Sequence, residues 1–569
     1  MTQQDVDWES LSVLVVDDSK VASLMLKSEL NKIGIKAIDV VENGDRAISK
    51  CQGKYYNFVL IDYHLEDSIN GNELAHTLRS RHLIDRTCGV IIISGDNSSD
   101  VVLTVFSYNM DTFITKPIRA KELVDKLYSI KRNIDLLTPI YDQIDCGLID
   151  EGVSELTAIC LSDNSYKLES ELLRILESNE RWKDLDEWLT IKKHAGFNQR
   201  REYSKAIYFW QIEERSAAIR VLRNLISRMP RYVFAYDKLV EFYEELGKTH
   251  EALDIAEQSS RLTPTVSHRV LNLSRIAMEA GQIEVFLVSG GLLIKNLIII
   301  DRKWFDPLNR YLYLSKKLID SENATVSRNY ILSKIKQMQS KVMTKLPSNQ
   351  LALSKLLFYI YLARVAISEN KNSEAHVRLM IGMKHFSSSL HALSDEILAL
   401  CLVVAIRTGE RWFVDNLIGV LSIRTQLTSI SEELLKDANI GMAGKGGFFD
   451  YYEKLADLHL VLFSDPLHVI KQADELALHY PDSVELKLLK LSALVLSGKD
   501  KPIHFKKLLP KKIPLPESMH KWALSITDNV SELKSAHEIF IGELADSSKV
   551  SYQFMLTYEK TTKSEARVG

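Results

Sequence analysis

The chain has 569 residues, too many for one hydrophobic core, so two or more domains are expected. Its 46% hydrophobic and 26% charged residues describe ordinary soluble protein, and a formal net charge of −3 excludes a general polyanion binder, which needs dense Lys and Arg. Five scattered cysteines (Cys51, Cys88, Cys146, Cys160, Cys401) form no CxxC pair, which excludes a disulfide framework or zinc site and suits a reducing cytosol.

The N-terminus, MTQQDVDWES, has no basic stretch followed by an apolar core, so no signal peptide is visible and a cytoplasmic location is expected. β-Branched runs at 12-SVLVVDD-18, 37-AIDVVEN-43, 57-NFVLID-62, 89-GVIIISG-95 and 111-DTFITKP-117 predict five strands. Amphipathic stretches at 19–34, 44–53, 71–83, 99–109 and 119–133 predict helices between and after them. Strands alternating with helices imply right-handed crossovers and a parallel sheet covered on both faces, a doubly wound α/β domain of flavodoxin-like type.

Ligands of such sheets bind beyond the carboxyl ends of the strands. Asp17 and Asp18 end the first predicted strand, Asp62 the third, Ser94 the fourth and Lys116 the fifth, so three carboxylates, a hydroxyl and an ammonium should meet at one rim. Clustered carboxylates repel unless a hard cation such as Mg2+ lies among them. Asp62 could then attack a phosphoryl group as a carboxylate nucleophile, with Ser94 and Lys116 holding its oxygens. Taken singly, each residue has a plainer reading; Asp18 or Ser19, for instance, could merely cap the first helix.

The constellation resembles the CheY-like receiver domain of two-component response regulators over roughly residues 9–134. The resemblance implies that Asp17 and Asp18 are the acidic pair, Asp62 the phosphoacceptor, Ser94 the switch hydroxyl and Lys116 the lysine. It further implies a cis peptide before Pro117, an aromatic switch at Phe113 and a metal ligand in the His64 carbonyl. The loop after Asp62 departs from the family: Glu66 stands where a Pro is usual, and Gly71 arrives one residue late. Glu66 and Asp67 would add negative charge there. His64 and Asp96 flank the path of an attacking water in this family.

Beyond residue 135 helical spacing takes over. Residues 135–170 read as a packed helical connector, 171–440 as helical repeats, 441–449 as a glycine-rich loop, 450–559 as further repeats and 560–569 as a frayed tail. The unit 233-VFAYDKLVEFYEELGKTHEALDIAEQSSRLTP-264 resembles a tetratricopeptide repeat. Tyr236, Leu239 and Tyr243 would form one packing face, Gly247 the turn, and Ala252 and Ala256 a close helix approach, with Pro264 closing the unit and Gly281 turning the next. The most apolar window, 285–300, is interrupted by Ser289, Lys295 and Asn296 and predicts a buried helix pair rather than a membrane span.

No enzymatic output motif is found. The expected function is a response regulator of the phosphorelay, resembling auxiliary regulators of the VieB type, with a histidine kinase or phosphotransfer domain as donor and a protein or peptide target on the repeats. Two alternatives stand beside it: receiver-gated binding of nucleic acid through the basic stretch 501–516, and a passive scaffold that is never phosphorylated.

Overall fold

A computed structural model describes residues 6–65, 71–95, 112–163, 165–297, 299, 304–321, 325–387, 389–424, 427–442, 447–498, 515–526 and 529–544. The helix expected at 99–109, Glu66, Asp67, Asp96, nearly all of 501–516 and the tail 560–569 lie outside the described residues. The chain divides into two compact units, Met1–Leu314 and Ser315–Gly569.

The first unit opens with strands β1 (Ser12–Val16), β2 (Ala37–Val41), β3 (Phe58–Asp62), β4 (Gly89–Ser94) and β5 (Thr112–Thr115). They form one parallel sheet in the order β2-β1-β3-β4-β5. Helices α1 (Lys20–Ile33), α2 (Gly44–Gly53), α3 (Gly71–Ser80) and α4 (Ala120–Asp145) cover it. Alternate strand residues serve the two faces, as the period of two requires. Leu14, Val16, Val59, Ile61, Val90 and Ile92 pack with Ala47 and Ile48 of α2 and Leu74, Ala75 and Leu78 of α3. Val13, Val15, Phe58, Leu60, Ile91 and Ile93 pack with Leu26 and Leu30 of α1 and Leu123 and Leu127 of α4. Both faces are buried, which is why β3 and β4 carry no alternation in the sequence.

Two features join this sheet to the helices that follow. The boundary expected at residue 134 falls inside α4, whose 26 residues run through Pro139 to Asp145 without a break. Its first half feeds the sheet core, while Leu137 and Ile140 of its second half pack with Val153, Leu156, Leu172 and Trp188. One helix therefore belongs to two cores. The second feature is Val266, in the loop between helices Thr249–Leu262 and Ser267–Glu279. It is 1% exposed and sits in the same apolar cluster as Leu74, Ala75 and Leu78 of α3.

The remaining helices of this unit pack against their chain neighbours in sequence. Tyr236, Leu239 and Tyr243 are buried on Val233–Glu245, and Ala252 and Ala256 on Thr249–Leu262. Gly247 and Gly281 turn the chain at φ +68° and +65°, a region costly for residues with a Cβ. Pro264 offers its carbonyl to Asn296 Nδ2 at 3.0 Å. The 285–300 window corrects its expectation: among its described residues it holds one helix, Ile283–Lys295, not a pair. Ser289 does not break it, because its hydroxyl is absorbed by Ser274 Oγ at 2.7 Å and by the Phe286 carbonyl at 2.7 Å.

The second unit is helical throughout its described residues. Helix Leu351–Ser368 is long and apolar enough to cross a membrane, but half of it is buried, and it packs against Asn372–Met383 and Asp395–Thr408. A central bundle helix has the same composition. The unit is tied by buried carboxylates. Glu410 Oε1 accepts from the Val484 N–H at 2.9 Å and lies 2.7 Å from His376 Nε2, while Oε2 accepts from Trp412 Nε1 at 2.7 Å. Glu485 Oε1 lies 2.6 Å from Arg411 Nη2 and 2.8 Å from His459 Nε2, and His459 Nδ1 is 2.8 Å from His537 Nε2. Of the glycine-rich stretch 441–449, the first two residues belong to helix Ser429–Met442 and the last two to Phe448–Val461. The middle, 443–446, lies outside the described residues.

Candidate functional site

The carboxyl edge of the sheet gathers the residues that the sequence placed at strand ends. Main-chain bonds to neighbouring strands fix each one. The Asp17 N–H donates to the Val41 carbonyl at 3.1 Å, the Tyr63 N–H to Ile93 at 2.7 Å and the Lys116 N–H to Ser94 at 2.7 Å. In register, Asp62 stands beside Ile93, Ser94 beside Thr115 and Phe113 beside Ile92. The Lys116–Pro117 peptide is cis.

Lys116 Nζ donates to Asp17 Oδ2 at 3.1 Å and lies 3.0 Å from Asp62 Oδ1. Asp17 is 2% exposed, Asp62 6% and Ser94 0%, so these groups are withdrawn from solvent to where charge is weakly screened. Burial pushes the Asp62 carboxyl above its ordinary range; Lys116 opposes that, and Asp17 and Asp18 add repulsion. Burial also works against the Lys116 ammonium, but its bonds to Asp62 and Asp17 prevail and hold it above the ordinary lysine value. The lysine thus stays charged between two carboxylates.

Asp18 completes an acidic trio: one carboxylate oxygen each from Asp17, Asp18 and Asp62 lies within 4.8 Å of the others. One octahedral Mg2+ with oxygens at about 2.1 Å has a coordination sphere about 4.2 Å across, so a small contraction would place all three on one ion. The donor set is all oxygen, which fits that cation. Among the described residues this is the one such group of His, Cys, Asp and Glu side chains. His64 follows β3 by two residues, its ring edge-on to Tyr63 at 4.8 Å. Phe113 is partly buried against the α2–α3 side of the core. The plainer reading holds for Ser19, whose Oγ accepts from the Ala22 N–H and caps α1, while its own N–H donates to Asp17 Oδ1 at 2.9 Å.

Sequence reasoning missed the role of Gly71. Its N–H donates to the Tyr63 carbonyl at 2.9 Å, and a Cβ there would meet the Asp62 carbonyl oxygen at 2.3 Å. The first residue of α3 is thus pressed onto the backbone of Asp62, an approach only glycine allows. Its late position in the loop was the signal available.

Comparison with known proteins agrees with the geometry. Residues 13–128 match the response regulator receiver domain family. Among curated relatives, Response regulator ArlR of Staphylococcus aureus strain Mu50 is 25% identical over 238 residues, 41% of this chain and 97% of that protein. Its counterpart in strain MW2 aligns with the same figures. Similar solved structures include the BeF3 activated DrrB receiver domain (20% identity, 21% of this chain and 96% of that one, TM-score 0.19). The receiver domain of Francisella response regulator 1452 gives 24% identity, 22% and 98% coverage, and a TM-score of 0.20. The N-terminal region is a CheY-like receiver domain of a two-component system, followed by a helical region with no recognised catalytic output.

Proposed function

We propose that Asp62 accepts a phosphoryl group from a histidine kinase or phosphotransfer domain, and that this event controls binding of a protein target by the helical region. The observation that carries the acceptor assignment is Lys116 Nζ held 3.0 Å from Asp62 Oδ1 beside Asp17 and Asp18. Asp62 Oδ1 would attack phosphorus in line, forming a carboxylate O–P bond as the P–N bond to the donor imidazole breaks and the imidazole leaves with the electron pair. Asp17, Asp18, Asp62 and the His64 carbonyl would hold Mg2+, which supplies positive charge to the phosphoryl oxygens when bound. Lys116 would exchange its contact with Asp62 for a phosphoryl oxygen, and Ser94 would donate to another.

Two routes support control of the helical region. Gly71 presses on the Asp62 backbone, so a shift there moves α3, and α3 shares its apolar cluster with Val266. His76 of α3 lies near enough that its charge opposes protonation of His268, on the helix that follows Val266. α4 carries the second route through its shared length. The architecture accords with auxiliary regulators of the VieB type, with a signalling protein as target, and the stacked helices accord with tetratricopeptide-like repeats. Cytoplasmic action follows from the donor.

The test is acetyl phosphate labelling with Mg2+, followed on a phosphate-affinity gel. Wild type should shift and Asp62→Asn should not; equal labelling of both would remove the acceptor. A target affinity unchanged by beryllofluoride would leave a passive scaffold instead.

A further inference from the structure

The second unit carries a cleft of ≈ 550 Å³ between helices Thr325–Lys345, Leu351–Ser368 and Asn372–Met383. Four cations line it (Arg328, Lys336, Lys371 and Arg378) against two carboxylates, Glu369 and Glu374. Both carboxylates are already engaged inside the cleft, Glu369 by Lys371 at 2.7 Å and Glu374 by Arg378. Arg328 and Lys336 therefore line the cleft with no acidic partner among the described residues, and Arg328 Nε is buried without an acceptor there. A buried guanidinium nitrogen without a partner is costly, and a ligand carboxylate pairing with the other N–H groups of the same guanidinium would offset that cost.

The positive excess extends beneath the cleft. Lys316 is 6% exposed and held below the ordinary lysine value chiefly by burial, which its bond to Asp320 opposes, while Arg364 and Arg328 add a smaller repulsion. The cleft also continues. A second cavity of ≈ 470 Å³ shares Lys371 and Glu374 with it and runs past Ser373 to His479. The groove so formed passes the N-terminus of helix Asn372–Met383, whose dipole adds to the field. A single small anion would fill only part of it. An extended chain of about six residues spans roughly 20 Å and offers carboxylates at several points along its length.

We infer that this groove is the docking site for an extended acidic peptide segment of a partner protein, whose carboxylates pair with Arg328 and Lys336. The inference rests on the reading of the helical region as a protein-binding surface and gives that surface a place and a ligand chemistry. It does not depend on the receiver.

The experiment uses the full chain and fluorescein-labelled hexaglutamate, hexalysine and oligo-dT, followed by anisotropy. Hexaglutamate should bind saturably, with affinity falling as salt rises and at least tenfold weaker in Arg328→Gln/Lys336→Gln; hexalysine should not bind. Both substituted residues are at least partly exposed, and unchanged circular dichroism would establish that the variant folds. Equal affinity in the variant, or no binding of hexaglutamate, overturns the site. Tighter binding of oligo-dT lost in the same variant would make the groove a nucleic-acid site and overturn the peptide. Hydrogen exchange in residues 71–80 and 262–270 with and without beryllofluoride tests receiver control separately, so either idea can fail alone.

Discussion

Val266, from a loop between two helices of the helical region, is packed into the apolar cluster that contains Leu78 of the receiver. The cluster is apolar on both sides, so the junction of Val266 with it rests on apolar burial and shape. Its strength is set by how well the two surfaces fit. Such a contact is suited to a switch, because a small displacement of α3 removes it in one step rather than bending it gradually.

Val266→Ala should loosen this contact without unfolding either side. Removing two methyl groups from a buried site costs about 2 kcal/mol once the cavity is included. If undocking limits exchange, amides of α3 should exchange about 30-fold faster by mass spectrometry, with helix content unchanged. Unchanged protection would mean that α3 and the loop are held by something else.

Gly71→Ala should slow phosphorylation although residue 71 touches no phosphoryl group. The new Cβ would sit 2.3 Å from the Asp62 carbonyl oxygen, and backbone cannot yield as a flexible side chain does. Overpacking of this kind costs about 1–3 kcal/mol. Both the receiver's melting temperature and the rate of acetyl phosphate labelling should fall. A wild-type rate would detach α3 from the acceptor.

Glu410→Ala should destabilise the second unit by about 3–5 kcal/mol, since it strands the Val484 N–H, the Trp412 indole N–H and His376 in a site of 0% exposure. Glu410→Gln keeps an acceptor and should cost less. Urea titration followed by tryptophan fluorescence compares the two. Equal midpoints would mean that shape rather than hydrogen bonding matters at this position.

Stability of the second unit should fall in mild acid. Burial depresses His537 from 6.5 to about 3, and the neighbouring His459 adds to that. Above pH 6.5 both folded and unfolded states hold His537 neutral, so its contribution is fully present. Below 6.5 the unfolded chain binds a proton that the folded chain refuses, and stability drops by about 1.4 kcal/mol per pH unit until the folded value is reached. At pH 5 the loss from His537 alone is about 2 kcal/mol. His459, also held low chiefly by burial, acts in the same direction. Denaturant midpoints at pH 5 and 7.5, with His537→Gln as the control of flattened slope, check the sign. A midpoint that rises on acidification would be the wrong sign.

Much of the receiver was legible in the chain because its rules are local. A period of two with both faces buried marks VLVV and VIII as interior strands, and parallel crossovers bring every strand's carboxyl end to one edge. Asp17, Asp62 and Lys116 therefore had to meet once the strands were recognised. Gly247 and Gly281 were legible for the same kind of reason, since a positive φ at a helix turn selects glycine locally. The one helix of Ile283–Lys295 was not, because the apolar run is interrupted by Ser289, whose partner Ser274 only the fold supplies.

What only the tertiary structure decided are contacts between residues distant in the chain that leave no periodic trace. Val266 reads as one more apolar residue before a helix, and nothing near it tells that it joins the cluster of Leu74 and Leu78. Glu410 and Glu485 read as solvated charges, yet both are wholly buried because Val484 and His376 come from other helices to meet the first, and Arg411 and His459 to meet the second. The cationic groove exists only when three helices lie side by side. Local sequence sets dihedral preference and which face is apolar; which face meets which is a property of packing, and there the partners are chosen by shape and by the need to satisfy every buried polar group.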